Sequence, residues 1–261
     1  MSTKKSSRKT SSKKFKLILE YDGTRYSGWQ RQPDARTIQG ELYKAANIIF
    51  GKVRFEIQGA GRTDSGVHAL CQVAHLEVET DLPVGIIKLK FNDFLPHDIN
   101  ILEVENVSKS FHSRHDAKSR TYLYKISKRR NAFGKNYLWW IKDDLNVSKI
   151  KSTCNLFVGM HDFSSFSDND PEEKPAYRQG RSTKVLIENV ELTEEDNLIL
   201  IRITGSHFLW KMVRRIIGVL VEIGRGNLTD KDIERFLTQK SDIPKKFTAP
   251  PAGLYLEKVV Y

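Results

Sequence analysis

The sequence predicts an α+β protein built from two βαββαβ halves. Apolar residues alternate with period two in some segments and recur with helical spacing in others. The two kinds of segment follow one another as strand, helix, strand, strand, helix, strand, and then do so again. A hydrophobic content of 39% over 261 residues supplies apolar surface for one large or two small domains. The sequence itself does not repeat, so the duplication lies in the order of the elements alone.

In the first half, Phe15, Leu17, Leu19 and Tyr21 alternate as in a strand. Thr37 is placed to cap a helix, with Glu41 near its first turn and Leu42, Ala45, Ala46 and Ile49 on one face. Val53, Phe55 and Ile57 alternate again, a glycine-rich turn follows, and residues 71–78 read as the next strand. Pro83 opens a helix running to about Phe94, and residues 99–107 close the half as a strand. In the second half, residues 120–126 are strand-like, with Tyr122 and Tyr124 on one face, and residues 147–158 are helical. Residues 168–182 are polar with two prolines and form a loop. Residues 184–192 and 198–204 read as strands, 207–223 as the strongest helix, 230–239 as a short extra helix, and 253–260 as the last strand. Halves of this order are expected to be ferredoxin-like, with antiparallel sheets. They divide the chain into subdomains of residues 15–110 and 111–261, after a basic tail of residues 1–14.

The 43 Lys and Arg against 32 Asp and Glu leave a formal charge of +11. Lys4, Lys5, Arg8, Lys9, Lys13 and Lys14 place six of these charges in the tail, among Ser and Thr and without an acid. Such a segment buries too little apolar surface to offset its ordering entropy, so disorder is expected there. It serves either as an anchor on nucleic-acid phosphates or as a solubilising extension. The remaining charge weakly favours a polyanionic partner. Cys71 and Cys154 are the only cysteines, which excludes a disulfide scaffold and a Cys-rich zinc module and fits a reducing cytoplasm. Glu222 interrupts the longest apolar run, and a membrane span needs about 20 such residues. No apolar stretch follows the basic N-terminus, as a secretory signal would require.

The informative stretch is Gly59-Ala60-Gly61-Arg62-Thr63-Asp64-Ser65-Gly66-Val67-His68-Ala69, a loop between two expected strands. Its glycines allow turns that press an aspartate close to a ligand. Arg62 and Asp64, two apart, share a side in an extended loop. A sheltered ionised carboxylate can act as nucleophile or base. The plainer alternative is a hairpin turn with a surface ion pair. Asp64-Ser65-Gly66 also has the form of an aspartic-protease triplet, but that chemistry needs two aspartates and no second triplet exists. His112 and His115 lack the partners of a metal site. The zinc-deaminase signature and the glycine-rich nucleotide motifs are absent, so no cofactor or metal is expected.

GAGRTDSGVHA resembles the catalytic motif of the tRNA pseudouridine synthase A (TruA) family. Six further segments agree in order: Tyr21-Asp22-Gly23-Thr24 with Tyr26-Ser27-Gly28-Trp29-Gln30; Leu95-Pro96-His97-Asp98-Ile99; Ser119-Arg120-Thr121-Tyr122-Leu123-Tyr124; His161-Asp162-Phe163-Ser164-Ser165-Phe166; residues 208–218; and Ala252-Gly253-Leu254-Tyr255-Leu256. The resemblance covers residues 15–261. The tail lies outside the pattern, and the 168–182 loop is longer and more acidic than is usual in it.

The resemblance implies that Asp64 is the catalytic aspartate, attacking ribose C1′ of a target uridine or taking a proton from C2′. Either route frees the base to turn and rejoin through C5. Arg62 pairs with it and helps hold the flipped nucleotide. Tyr122 is the active-site tyrosine, a ring to stack on uracil with a hydroxyl that can relay a proton, and Tyr124 is left to the core. Leu254 packs under the base. Arg214, in an otherwise apolar helix, needs an anion and is assigned to the cleft, with Arg215 left to solvent. Trp29 and Gln30 are further RNA-contact candidates, although a strand-to-helix turn also uses Trp for packing. The implied whole is a cytoplasmic homodimer without a cofactor, acting in a basic cleft between the two sheets on tRNA positions 38–40. Synthesis of pseudouridine in another RNA, and a catalytically silent RNA-binding module, are the alternatives.

Overall fold

The computed structural model describes residues 12–168 and 182–261. The first half runs β1 (Lys13–Tyr21), α1 (Ile38–Phe50), β2 (Phe55–Gly59), β3 (His68–Val78), α2 (Val84–Phe94) and β4 (Ile99–Val107). The second runs β5 (Ser119–Ser127), the short β6 (Trp139–Trp140), α3 (Val147–Cys154), β7 (Gly159–Asp162), β8 (Lys184–Glu195), β9 (Leu198–Gly205), α4 (Met212–Gly224), α5 (Asp230–Thr238), α6 (Ile243–Lys246) and β10 (Leu254–Val260).

The halves do not carry the separate sheets expected from the sequence. One ten-stranded sheet is ordered β4-β1-β3-β10-β5-β9-β8-β7, with β2 also on β3 and β6 on β5. The join is made by β10, which pairs antiparallel with β5 and parallel with β3 through Tyr255–His68 and Leu256–Ala69. On that same edge of β3, β2 pairs with residues 74–78. The edge therefore changes partner partway along, and the sheet forks there.

Local chemistry explains the elements. The Thr37 side chain caps α1 by accepting from the Gly40 amide, and Ile38, Leu42, Ala45, Ala46 and Phe50 are buried. Burial of each large aliphatic or aromatic residue contributes about 1.5–3 kcal/mol. In α4 every residue but Arg214 is buried, the pattern of a helix enclosed on all sides. It begins at Met212, five residues later than expected, because Lys211 takes a left-handed conformation (φ 61°). The expected helix over 147–158 ends at Cys154, and Gly159, at φ 112°, starts the unforeseen strand β7. β3 begins three residues early, so His68 and Ala69 of the glycine-rich motif lie in the strand.

One core packs α1 and α2 on β1, β3 and β4, and another packs α3, α4 and α5 on β5, β8 and β9. Tyr122 touches both. The tail is shorter than expected, since Lys13 and Lys14 belong to β1 and pair with Asp81 (3.4 Å) and Glu77 (3.5 Å). Residues 1–11 of the tail and 169–181 of the acidic loop lie outside the described residues. No helix among the described residues is long and apolar enough to cross a membrane.

Candidate active site

Residues 60–67 join β2 to β3 and leave the sheet at the fork. The backbone holds them on several sides: Ala60 N–H donates to Val73 O (2.7 Å), Trp29 N–H to Thr63 O (3.0 Å) and Gly66 N–H to Tyr26 O (3.2 Å). Gln72 Nε2 donates to Gly61 O (3.1 Å), and the Thr63 and Tyr21 hydroxyls are 2.8 Å apart. The segment before α1 presses so close that a Cβ on Gly28, whose φ is 91°, would lie 2.6 Å from Thr63 O.

Asp64 projects from this loop toward the first turn of α4. Arg214 Nη1 donates to Asp64 Oδ2 at 3.0 Å, and Arg214 Nε donates to Ala249 O at 2.7 Å. The two side chains are 20% and 15% exposed, sheltered yet open to a ligand. Around them is a cavity of about 150 Å³, well below the roughly 300–1,000 Å³ that encloses a whole drug-sized ligand. Among the described residues five cationic side chains line it, from Arg62, Arg114, Arg120, Lys211 and Arg214, with Asp64 as the one carboxylate.

Tyr122 stands on β5 between Leu256 of β10 and Ile203 of β9. Its ring meets Phe208 edge-on at 5.1 Å. Burial and then the Asp64 charge push its hydroxyl up to about 12, against the opposing pull of Arg120. The phenol is thus protonated near neutral pH, a donor and not a general base in its resting form. Tyr124 is fully buried and donates to Pro250 O at 2.7 Å.

The structure brings Arg62, Asp64, Tyr122, Arg214 and Leu254 to the walls of one cavity. Leu254 is 5% exposed and shares its face of β10 with Leu256, which also lines the cavity. Trp29 and Gln30 are elsewhere. Trp29 is 1% exposed, with its ring against the Gly59 backbone and 6.1 Å from Tyr21, so its surface is spent on packing beneath the loop. Gln30 donates to Gln39 Oε1 (2.8 Å) on an adjoining hollow that Arg62 and Arg114 also border. Arg215 corrects an expectation: it is 2% exposed, not solvated, and meets Asp168 Oδ2 at 2.9 Å. Sequence reading placed Arg120 and residues 208–211 in segments that resemble the family but gave none of them a site role. Apart from that segment, nothing in residue type or spacing marks Arg120, which reads as an ordinary charged strand residue. His112 lies between His75 (4.9 Å) and His115 (4.2 Å) with the rings tilted to one another. No cluster able to hold a metal is found among the described residues.

The family model for tRNA pseudouridine synthase matches residues 17–116 and 153–261. The protein named tRNA pseudouridine synthase A of Thermosipho melanesiensis is 42% identical over 251 residues, which cover 95% of this chain and 100% of that one. That of Aquifex aeolicus is 38% identical over 248 residues, 94% and 98% of the two chains. The protein named tRNA pseudouridine synthase A 2 of Bacillus anthracis is 38% identical over 250 residues, 95% and 99%. With both halves matched and these identities spanning nearly its whole length, the chain belongs to the tRNA pseudouridine synthase family.

Proposed function

We propose that this chain isomerises uridine to pseudouridine in tRNA, at positions 38–40 of the anticodon stem-loop, with Asp64 as the catalytic carboxylate. The observation that carries the reading is Asp64 itself: among the described residues it is the one carboxylate on the cavity, 3.0 Å from Arg214, facing four further cationic side chains and an apolar and aromatic wall. The cations suit the phosphates around a target nucleotide. A module that only bound RNA would gain nothing from an anion facing those phosphates. Asp64 acts at the ribose, the bond to N1 breaks, and the base turns and rejoins through C5. The C5 proton is released and N1 gains one, so no redox partner enters the balance. The protonated Tyr122 packs on the base and holds its hydroxyl where a proton must move, Leu254 lies under the base, and Arg62 steadies the nucleotide. Drawing the base out of its stack costs a few kcal/mol, which the surrounding contacts must offset.

The architecture reads as two ferredoxin-like subdomains, divided near residue 110, that flank a basic cleft. In its support, strand order β4-β1-β3-β2 in the first half corresponds to β10-β5-β9-β8 in the second. The family's homodimer and a cytoplasmic setting complete the reading. The test is pseudouridine mapping of unmodified tRNA after incubation with the protein, together with tritium release from C5-labelled tRNA. Asp64→Asn should lower turnover at least about 1,000-fold and leave tRNA affinity within about threefold, because the carboxylate acts on the transition state and not in binding. Turnover within tenfold of the parent would remove Asp64 from its role. Pseudouridine only outside positions 38–40, or only in another RNA, would overturn the substrate.

A further inference from the structure

Arg120 is the second residue of β5 and sits at the fork of the sheet, on the cavity wall. Its Nη1 donates to Ala117 O (3.2 Å) and Ser206 O (2.7 Å), and its Nη2 to Ala60 O (3.0 Å) and Arg114 O (2.8 Å). Among the described residues no carboxylate pairs with it. A half-buried guanidinium is thus spent on four backbone carbonyls from three separate segments. Each segment leads to a part of the cavity. Ala60 lies four residues before Asp64. Ser206 precedes the wall of residues 207–211 and the helix that carries Arg214. Arg114 and Ala117 belong to the connection between the two halves, and Arg114 lines the cavity.

We propose that Arg120 is a positioning residue for the reaction proposed above: its planar fork fixes the distance between the Asp64 loop and the wall that leads to Arg214. The proposal rests on that reading of function. The contact between Asp64 and Arg214 is one hydrogen bond, and an arriving ribose competes for its carboxylate. Arg120 uses backbone oxygens only and takes nothing from Asp64. No other side chain presents enough donors in a fixed plane to meet four carbonyls at once; a lysine has the charge but only three donors at one point.

The experiment compares Arg120→Lys with the parent in steady-state turnover and in amide hydrogen exchange. A shift of the walls by a fraction of an ångström should lower kcat about 10- to 100-fold and leave KM for tRNA within about threefold. Amides of residues 60–64 and 206–212 should exchange about tenfold faster, with the pairing of β5 and β9 unchanged. A kcat within twofold of the parent would overturn the proposal. A raised KM at unchanged kcat would also do so, since it would make Arg120 a tRNA contact. Faster exchange throughout the sheet would reduce Arg120 to a stabilising residue. Should Arg120→Lys fail to fold, Arg120→Gln, with two donors, takes its place, and failure of both variants to fold assigns Arg120 to stability and ends the proposal. Parent protein that forms no pseudouridine defeats the functional reading, and the exchange measurement then still decides whether Arg120 holds the walls.

Discussion

The two walls of the cavity are built on opposite principles. The Asp64 loop is short, glycine-rich and bonded through its backbone to β3 and to the segments around Tyr26 and Trp29. The facing wall, residues 207–211, is rich in large side chains that are half-buried. Its backbone is tied at the ends, by Ser206 N–H to Leu186 O (3.0 Å) and Arg120 Nη1 to Ser206 O (2.7 Å) on one side, and by Met212 N–H to Leu209 O (3.1 Å) and Arg215 N–H to Lys211 O (3.0 Å) on the other. The clamped wall carries the carboxylate, whose position, on the proposed function, must be exact to a fraction of an ångström for chemistry. The lightly tied wall carries Phe208 and Lys211, which line the cavity opposite the carboxylate. The denser backbone bonding thus lies on the wall whose carboxylate is proposed to react.

Arg214 ties one wall to the other, so its replacement should show the largest effect after loss of Asp64. Its guanidinium reaches Ala249 O and Asp64 Oδ2 together. Arg214→Lys keeps the charge and cannot make both contacts in that geometry. Single-turnover pseudouridine formation should slow about 30- to 100-fold, or about 2–2.7 kcal/mol of barrier, with a melting temperature changed by only a few degrees. A lysine variant of full activity would mean that charge alone is required and that the walls need no fixed tie.

Gly28→Ala probes the clamped wall from behind. The new methyl would meet Thr63 O at 2.6 Å, at a φ of 91°. The backbone conformation costs an L residue about 1–2 kcal/mol and the overlap about as much again. A loss of about 3 kcal/mol in urea unfolding at an unchanged m value is therefore expected, with reduced turnover as Asp64 shifts. Stability within about 0.5 kcal/mol of the parent would show that the loop gives way more easily than its bonding suggests.

The clamped wall is also the legible one. Glycines between two period-two segments mark a loop, and the seven collinear segments that resemble the family carry Asp64, Arg62, Tyr122, Arg214 and Leu254 to one place. The other wall reads in sequence as the start of a helix, because its apolar spacing continues that of α4; the left-handed Lys211 that stops the helix has no signature in residue type. Arg120 is illegible for a related reason: its partners are backbone carbonyls, which every residue has. The fusion of the two sheets depends on β10 pairing with β3, and contacts so distant in sequence leave no local pattern. Arg214 and Arg215 are adjacent and alike, and only the packing of α4 decides that one faces the cavity and the other is buried against Asp168.

The finest test of the comparison sets glycine against alanine on the lightly tied wall. Lys211 is at φ 61° with its ammonium 3.9 Å from the centre of the Trp210 ring. Both Lys211→Gly and Lys211→Ala delete that ammonium and its cation–π contact, so the difference between them isolates the backbone. Alanine retains the left-handed strain that glycine escapes, about 1 kcal/mol, while glycine has more unfolded-state entropy to lose, about 0.5–1 kcal/mol. The two terms nearly cancel, and the glycine variant should melt within about two degrees of the alanine variant. The same exchange at position 28 lacks this compensation, because Thr63 O stands where the methyl must go. Turnover should fall equally in the two Lys211 variants, both having lost one cation from the cavity. A gap of several degrees between them, or unequal turnover, would mean that residues 207–211 are held as tightly as the Asp64 loop, and the contrast between the walls would disappear.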